Sequence, residues 1–342
     1  MKSLGQRNLR VGVVGLGKMG LLHASILSTL PEVELAAVCE KSSLIRSFFK
    51  RMFKSRALSL VDDVEKLSHL GLDAIYVTTP IPSHAPIVKA ISKERLARGI
   101  FVEKTLASNP AEANELCQSV LSLESTNMVG YMKRFAVTFK KAKEILAGES
   151  LGKIVSFKAY AYSSDFLGLG KGKSSTTSLS RGGVLRDLGA HIIDIALWFF
   201  GDLDVDMAKL ESLGGNSSED SASFKVRNSV GIEGSFDMSW CKENYRMPEF
   251  GVVISGQDGM MHVDDYKVDL ELSAGHSSRW YRQDLNDNVD FLLGEPEYFR
   301  EDEYFMRSLR EGSTAEPSFL TASKVDYTID KVRNRAEKYE VT

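Results

Sequence analysis

Along the first third of the chain, short apolar runs rich in Val and Ile alternate with stretches of helical period, as in successive βαβ units around a parallel sheet. Leu9–Val14, Val33–Cys39, residues 74–78, residues 100–103 and Thr126–Gly130 read as five strands of a sheet expected to have six. Residues 19–30, 43–54, 62–70, 84–92 and 110–123 read as the helices between them. Asn109 is placed to cap the last of these, with Pro110 at its first position. This order predicts a doubly wound dinucleotide fold.

From residue 153 the period becomes two. Val155, Phe157, Ala159 and Ala161 alternate with Ser156, Lys158, Tyr160 and Tyr162, and Ala222, Phe224 and Val226 with Ser221, Ser223 and Lys225. Val230, Ile232, Phe236, Met238 and Trp240 alternate with Glu233, Ser235, Asp237 and Ser239. Such strands belong to an antiparallel sheet with one buried face. One long helix, 183–200, lies inside this half, and helices near 301–310 and 321–338 close the chain. The fold class is therefore α/β: an N-terminal doubly wound Rossmann domain, 1–130, and a C-terminal α+β domain, 131–342, with a mostly antiparallel open sheet. The change of period itself falls near 148–152. Residues 163–183, rich in Gly, Ser and Thr, read either as a cover over a site or as a surface linker.

Composition narrows the function. With 43 Lys+Arg against 46 Asp+Glu, a net charge of −3 offers no basic excess for a nucleic-acid footprint. Cys39, Cys117 and Cys241 are far apart, form no C-x-x-C pair and have no neighbouring His, so neither zinc nor any other metal is expected and a reducing, cytoplasmic setting is. The longest apolar run, 192–200, is far below the roughly 20 residues that span a bilayer and contains Asp194. No membrane partner and no export signal are expected.

Three patterns carry chemistry. Gly15-Leu16-Gly17-Lys18-Met19-Gly20 follows the first strand and opens the first helix, where its glycines let the backbone turn and approach a pyrophosphate. Glu40, at the end of the second strand and 20 residues past Gly20, is placed to accept from the adenosine ribose hydroxyls. Glu40 would repel a 2′-phosphate, which favours NAD over NADP, although Lys41, Ser42 and Arg46 stand near enough to soften this. Second, Thr79-Pro80 and Glu103-Lys104 end strands, at the edge where such sheets bind ligands; from spacing alone Lys104 serves equally as a solvated loop lysine. Third, Asp187 and His191, four apart on a helix, share a face and suit acid–base work, or are simply an acid and a satisfied imidazole. His23, His69, His262 and His276 have no such partners in sequence and read as structural or exposed.

The chain resembles, from end to end, the glucose–fructose oxidoreductase, inositol dehydrogenase and rhizopine-catabolism family of NAD(P)-dependent oxidoreductases. The segments that carry the resemblance are VGVVGLGKMGLLH, YVTTPIPSH, FVEKT, KRFAVTFKKAKEILAGESLGKI, GGVLRDLGAHIIDIALWFFG, ISGQDGMMHV and YTIDKVRNRAEK. The resemblance implies Gly15, Leu16, Gly17, Lys18, Met19 and Gly20 on the pyrophosphate of NAD or NADP, and Glu40 on the adenosine ribose. It sets Thr79, Pro80 and His84 beside the cofactor, Glu103 near the nicotinamide ribose, and Lys104, Asp187 and His191 as catalytic residues. It further implies hydride transfer to or from a secondary alcohol of a sugar, inositol or related polyol, and a homodimer or homotetramer joined through the second-domain sheet. NAD-dependent glycoside hydrolases and non-catalytic dinucleotide-binding regulators share the resemblance; Lys104, Asp187 and His191 together argue against a regulator. Where the family carries Glu-Lys-Pro, this chain has Glu103-Lys104-Thr105. That departure leaves the isomer of the Lys104–Thr105 bond, and the reach of Lys104, open.

Overall fold

The computed structural model describes residues 7–52, 58–167, 181–213 and 218–339. The chain forms two compact units, residues 1–132 with 289–323, and residues 133–288 with 324–342. The expected division at residue 130 takes no account of the return of 289–323 to the first unit.

In the first unit, β1 (Leu9–Val14), β2 (Val33–Cys39), β3 (Ser59–Val61), β4 (Ala74–Val77), β5 (Gly99–Glu103) and β6 (Thr126–Gly130) form one sheet in the order β3-β2-β1-β4-β5-β6. Every pairing is parallel. β1, β4 and β5 are buried almost throughout, which is why they read as unbroken apolar runs rather than as alternation. The helices are α1 (Lys18–Leu27), α2 (Ser43–Met52), α3 (His84–Lys93) and α4 (Pro110–Leu121). Asn109 caps α4 as expected, its Oδ1 accepting from the Glu112 N–H at 3.0 Å. The helix expected over 62–70 is only a 3₁₀ turn, Val64–Leu67, with Asp63 accepting from the Glu65 N–H. The strand order reverses between β1 and β4, so the loops after β1, β2, β4 and β5 open at the carboxyl edge on either side of this switch point.

In the second unit, β7 (Ile154–Tyr162), β8 (Leu203–Glu211), β9 (Ser221–Asn228), β10 (Glu233–Ser239), β11 (Glu249–Gly256), β12 (Gly259–Asp264), β13 (Lys267–Leu272) and β14 (Ser277–Tyr281) form a sheet in the order β14-β13-β12-β11-β7-β10-β9-β8. Only β7 and β10 run parallel. α5 (Val137–Ala147) precedes the sheet, and α6 (Ala190–Phe200) covers its apolar face, with Phe200 stacked on Phe157 at 4.2 Å and Phe224 on Phe236 at 4.3 Å. Two expected core positions are corrected. Val155 is 52% exposed, because the β7–β11 register shifts beside it and takes it out of alternation. Val230 lies in the turn before β10, which begins at Glu233, and is 68% exposed.

The helix expected over 183–200 is two pieces. Leu185–Gly189 is a π-helical turn, and only from Ala190 is the helix α. Gly189 lets this segment approach the sheet, since a Cβ there would stand 2.5 Å from Met238 Sδ. Asp194, the polar interruption of the apolar run, is 1% exposed and bonded by both oxygens to Arg134, at 2.7 Å each. Lys133 is likewise buried on Asp265 at 2.7 Å. The closing helices are α7 (Pro296–Glu311) and α8 (Phe319–Tyr339).

Candidate active site

The loop after β1 is shaped by contacts only glycine allows. Gly15 has φ +94°, and its carbonyl accepts from Thr78 Oγ1 at 2.8 Å. A Cβ on Gly20 would stand 1.9 Å from that same carbonyl oxygen, while one on Gly17 would meet nothing within 4 Å. α1 begins at Lys18 with no side-chain cap on Gly17 and no acid in its first turn. Its first N–H groups and the positive end of its dipole therefore suit an anion. Leu16 is buried, and its N–H donates to Glu40 Oε2 at 2.9 Å. Glu40 Oε1 accepts from the Ser42 N–H at 2.8 Å, so the carboxylate ties the glycine loop to the turn after β2. Arg46 braces that turn from below, donating to the carbonyls of Glu40 and Lys41.

The loops after β4 and β5 are joined by His84. It is fully buried, with Nε2 2.8 Å from the Thr79 carbonyl and Nδ1 2.9 Å from the Thr105 carbonyl. Burial pushes its pKa below the usual histidine range, against the pull of the two carbonyls. Thr79 is half-buried and Pro80 exposed. The Lys104–Thr105 peptide is cis, and Lys104 is half-buried.

Glu103 is buried at the end of β5. Its Oε2 accepts from the Lys104 N–H at 3.1 Å, and its Oε1 lies 2.9 Å from Nε2 of His23. The Nδ1 of His23 faces both oxygens of Asp302, at 2.8 and 3.0 Å. Burial opposes a charged ring here, but the Asp302 and Glu103 carboxylates outweigh it and hold the imidazolium well above the usual range. Sequence reading missed this contact, although the position of His23 on α1, three residues after the glycine motif, was its one local signal.

In the second unit, Asp187 lies on the π turn and His191 at the start of α6. Asp187 is half-buried, with Arg181 Nη1 at 3.4 Å, and that guanidinium also reaches Asp165 at 2.7 Å. His191 is 7% exposed, its ring edge-on to Phe250 at 5.4 Å, with Lys133 over the other ring at 5.0 Å. Most of the Gly- and Ser-rich stretch 163–183 lies outside the described residues.

Residues 9–131 match the oxidoreductase family with an NAD-binding Rossmann fold, and residues 139–262 match the GFO/IDH/MocA C-terminal domain. The chain belongs to the GFO/IDH/MocA family. Members similar to it include myo-inositol 2-dehydrogenase of Thermotoga maritima, 24% identical over 275 residues and 76% of either chain. Inositol 2-dehydrogenase of Rhizobium meliloti is 23% identical over 98% of this chain and 99% of its own. Among solved structures, levoglucosan dehydrogenase in complex with NADH and levoglucosan superposes with a TM-score of 0.86 at 19% identity, covering 97% of this chain and 98% of that one. That likeness bears on the fold, which is the α/β class with a mostly antiparallel second sheet that the sequence predicts. Among the described residues no helix is long and apolar enough to cross a membrane.

Proposed function

We propose that this member of the family is an NAD-dependent dehydrogenase acting on a secondary alcohol of a sugar, inositol or related polyol. The observation that carries the reading is the cradle: an uncapped α1 behind three glycines, with Glu40 locked onto the Leu16 N–H where an adenosine ribose would lie. Gly15, Leu16, Gly17, Lys18, Met19 and Gly20 hold the pyrophosphate, Glu40 the adenosine ribose, Glu103 the nicotinamide ribose, and Thr79, Pro80 and His84 shape the wall between. Bound NAD supplies the hydride acceptor.

The remaining chemistry belongs to the chain. Oxidising a carbinol needs a base for the hydroxyl proton and a positive donor for the developing oxyanion. His191 takes the proton, Asp187 orients its ring, and the Lys104 ammonium steadies the oxygen. Glu40 presents a negative group and no donor to a 2′-phosphate, which favours NAD over NADP. The tyrosine-bearing face of the second sheet supports a homodimer or homotetramer. There Tyr160 and Tyr162 stack at 5.1 Å, and Tyr160 Oη lies 3.1 Å from Glu249 and 3.2 Å from His262. Such a polar, aromatic surface forms wet interfaces of ordinary size. A cytoplasmic location completes the reading.

The test is NADH formation from NAD with myo-inositol, scyllo-inositol, levoglucosan, glucose and their phosphates. Turnover of one of them, lost together in Lys104→Ala and His191→Ala, supports the assignment. Near-normal turnover in either variant removes that residue from it, and sugar release without net NADH would replace dehydrogenation by glycoside cleavage. Light scattering tests the assembly: a mass near that of one 37.9 kDa chain rejects it, and an oligomer that survives Tyr160→Glu with Tyr162→Glu places the interface elsewhere.

A further inference from the structure

Glu103 ends β5 with a three-torsion side chain, yet nothing about it is loose. One oxygen is held by the neighbouring Lys104 N–H and the other by His23. His23 cannot swing, because its second nitrogen faces Asp302 on α7 and its ring is enclosed by Tyr76, Phe101 and Tyr298, with centroids at 5.5, 5.1 and 6.2 Å. His23 and Asp302 are both fully buried. A fold that needed only a tie between α1 and α7 would be served by one carboxylate on the ring. A second carboxylate, from the residue adjoining Lys104, is surplus to such a tie and adds desolvation cost. The chain places that surplus where the ammonium-bearing residue leaves the strand.

We propose that His23 is a positioning residue for the nicotinamide end of the site: clamped by Asp302, it fixes the Glu103 carboxylate so that Oε2 holds the Lys104 backbone and the Glu103–Lys104 pair is presented in one orientation. The proposal rests on the assignment of Glu103 and Lys104 to the nicotinamide ribose and ring made above. His23 acts through Glu103 and touches neither cofactor nor substrate.

Calorimetric titration with two probes separates this from a purely structural role: NADH, and ADP, which lacks the nicotinamide and its ribose. In His23→Gln, NADH affinity is expected to fall about ten- to a hundredfold, as for loss of one hydrogen bond to a charged group, while ADP affinity stays within about twofold. The double variant His23→Gln with Glu103→Gln should bind NADH no more weakly than Glu103→Gln alone, since both substitutions break one chain of contacts. Asp302→Asn, nearly the same shape, should show the same NADH-selective loss and serves where His23→Gln does not fold. Equal losses for NADH and ADP would overturn the proposal in favour of a fold tie. A selective loss in Glu103→Gln with none in His23→Gln or Asp302→Asn would overturn it while leaving the Glu103 assignment standing. No selective loss even in Glu103→Gln would remove the assignment and the proposal together.

Discussion

The two units bury charge in different ways. In the second unit, Arg134 meets Asp194 and Lys133 meets Asp265, in each case a cation against a buried carboxylate. In the first, one imidazole stands between two carboxylates at the end of the strand that leads into Lys104. A balanced pair holds elements in place and can in principle be exchanged for apolar groups. An unbalanced cluster beside Lys104, the lysine proposed to steady the oxygen, cannot be exchanged without changing the field there. The contrast sets charges that hold the fold apart from those beside the proposed site, and α6 carries, three residues apart, the imidazole proposed as base, His191, and the carboxylate paired with Arg134, Asp194.

The largest expected effect is on turnover. His191→Ala should lower it about 10²–10⁴-fold, the usual worth of a positioned general base, with the urea midpoint and NADH affinity nearly unchanged. Steady-state rates beside a denaturation curve check this. A variant that lost stability in place of turnover would put His191 with the fold-serving charges.

Asp194→Ala is the converse. It removes the carboxylate that both guanidinium bonds of the buried Arg134 meet, which should cost about 3–5 kcal/mol of stability in the second unit. Arg134→Met with Asp194→Leu should recover most of that loss in urea unfolding. If the double variant is as unstable as the single, the pair contributes something that apolar packing cannot replace.

A third expected effect concerns the glycines of the first loop. Gly20→Ala pushes a methyl against the Gly15 carbonyl and should weaken NADH binding by about 1–3 kcal/mol, the range for overpacking, while Gly17→Ala, facing open space, should cost less. Calorimetry on the two variants gives the order, and its reversal would show that Gly17 is the closer approach.

What could be read from the sequence was what is decided locally. The Asn109 cap, the glycine turn and the apolar strands are each set by residues within a few positions of one another. β3 escaped because three residues carry no period, β8 because a register shift between Val205 and Met207 breaks its alternation, β11 because Phe250, Gly251 and Val252 are buried in succession, and β12–β14 because five or six residues alternate too few times to stand out. Val155 was misplaced because a bulge depends on the partner strand. The His23 cluster escaped for the same reason on a longer scale: its partners are 80 and 279 residues away, and Asp194 read as an interruption because Arg134 is 60 residues off. Long-range pairing of polar groups has no signature in one sequence, and it is there that this protein keeps its buried charge.

The smallest expected effect compares the two buried histidines of the first unit. His23 has carboxylates on both nitrogens and is held charged, whereas the nitrogens of His84 face backbone carbonyls, and burial lowers its pKa against them and the Glu103 carboxylate. For His84 the unfolded chain binds the proton more readily, so stability falls as pH drops below the unfolded value of about 6.5 and continues to fall until the folded value is reached. Above that window His84 contributes no pH dependence. His84→Gln, whose amide cannot titrate, should therefore show a shallower loss of stability than the unaltered protein between about pH 6.5 and 5, measured by urea unfolding at fixed ionic strength. A steeper loss in the variant would mean that the carbonyls of Thr79 and Thr105, 2.8 and 2.9 Å away, outweigh burial and hold this ring charged as well. The two histidines would then differ only in where their countercharge lies, and the distinction between carboxylate-held and carbonyl-held rings would fall.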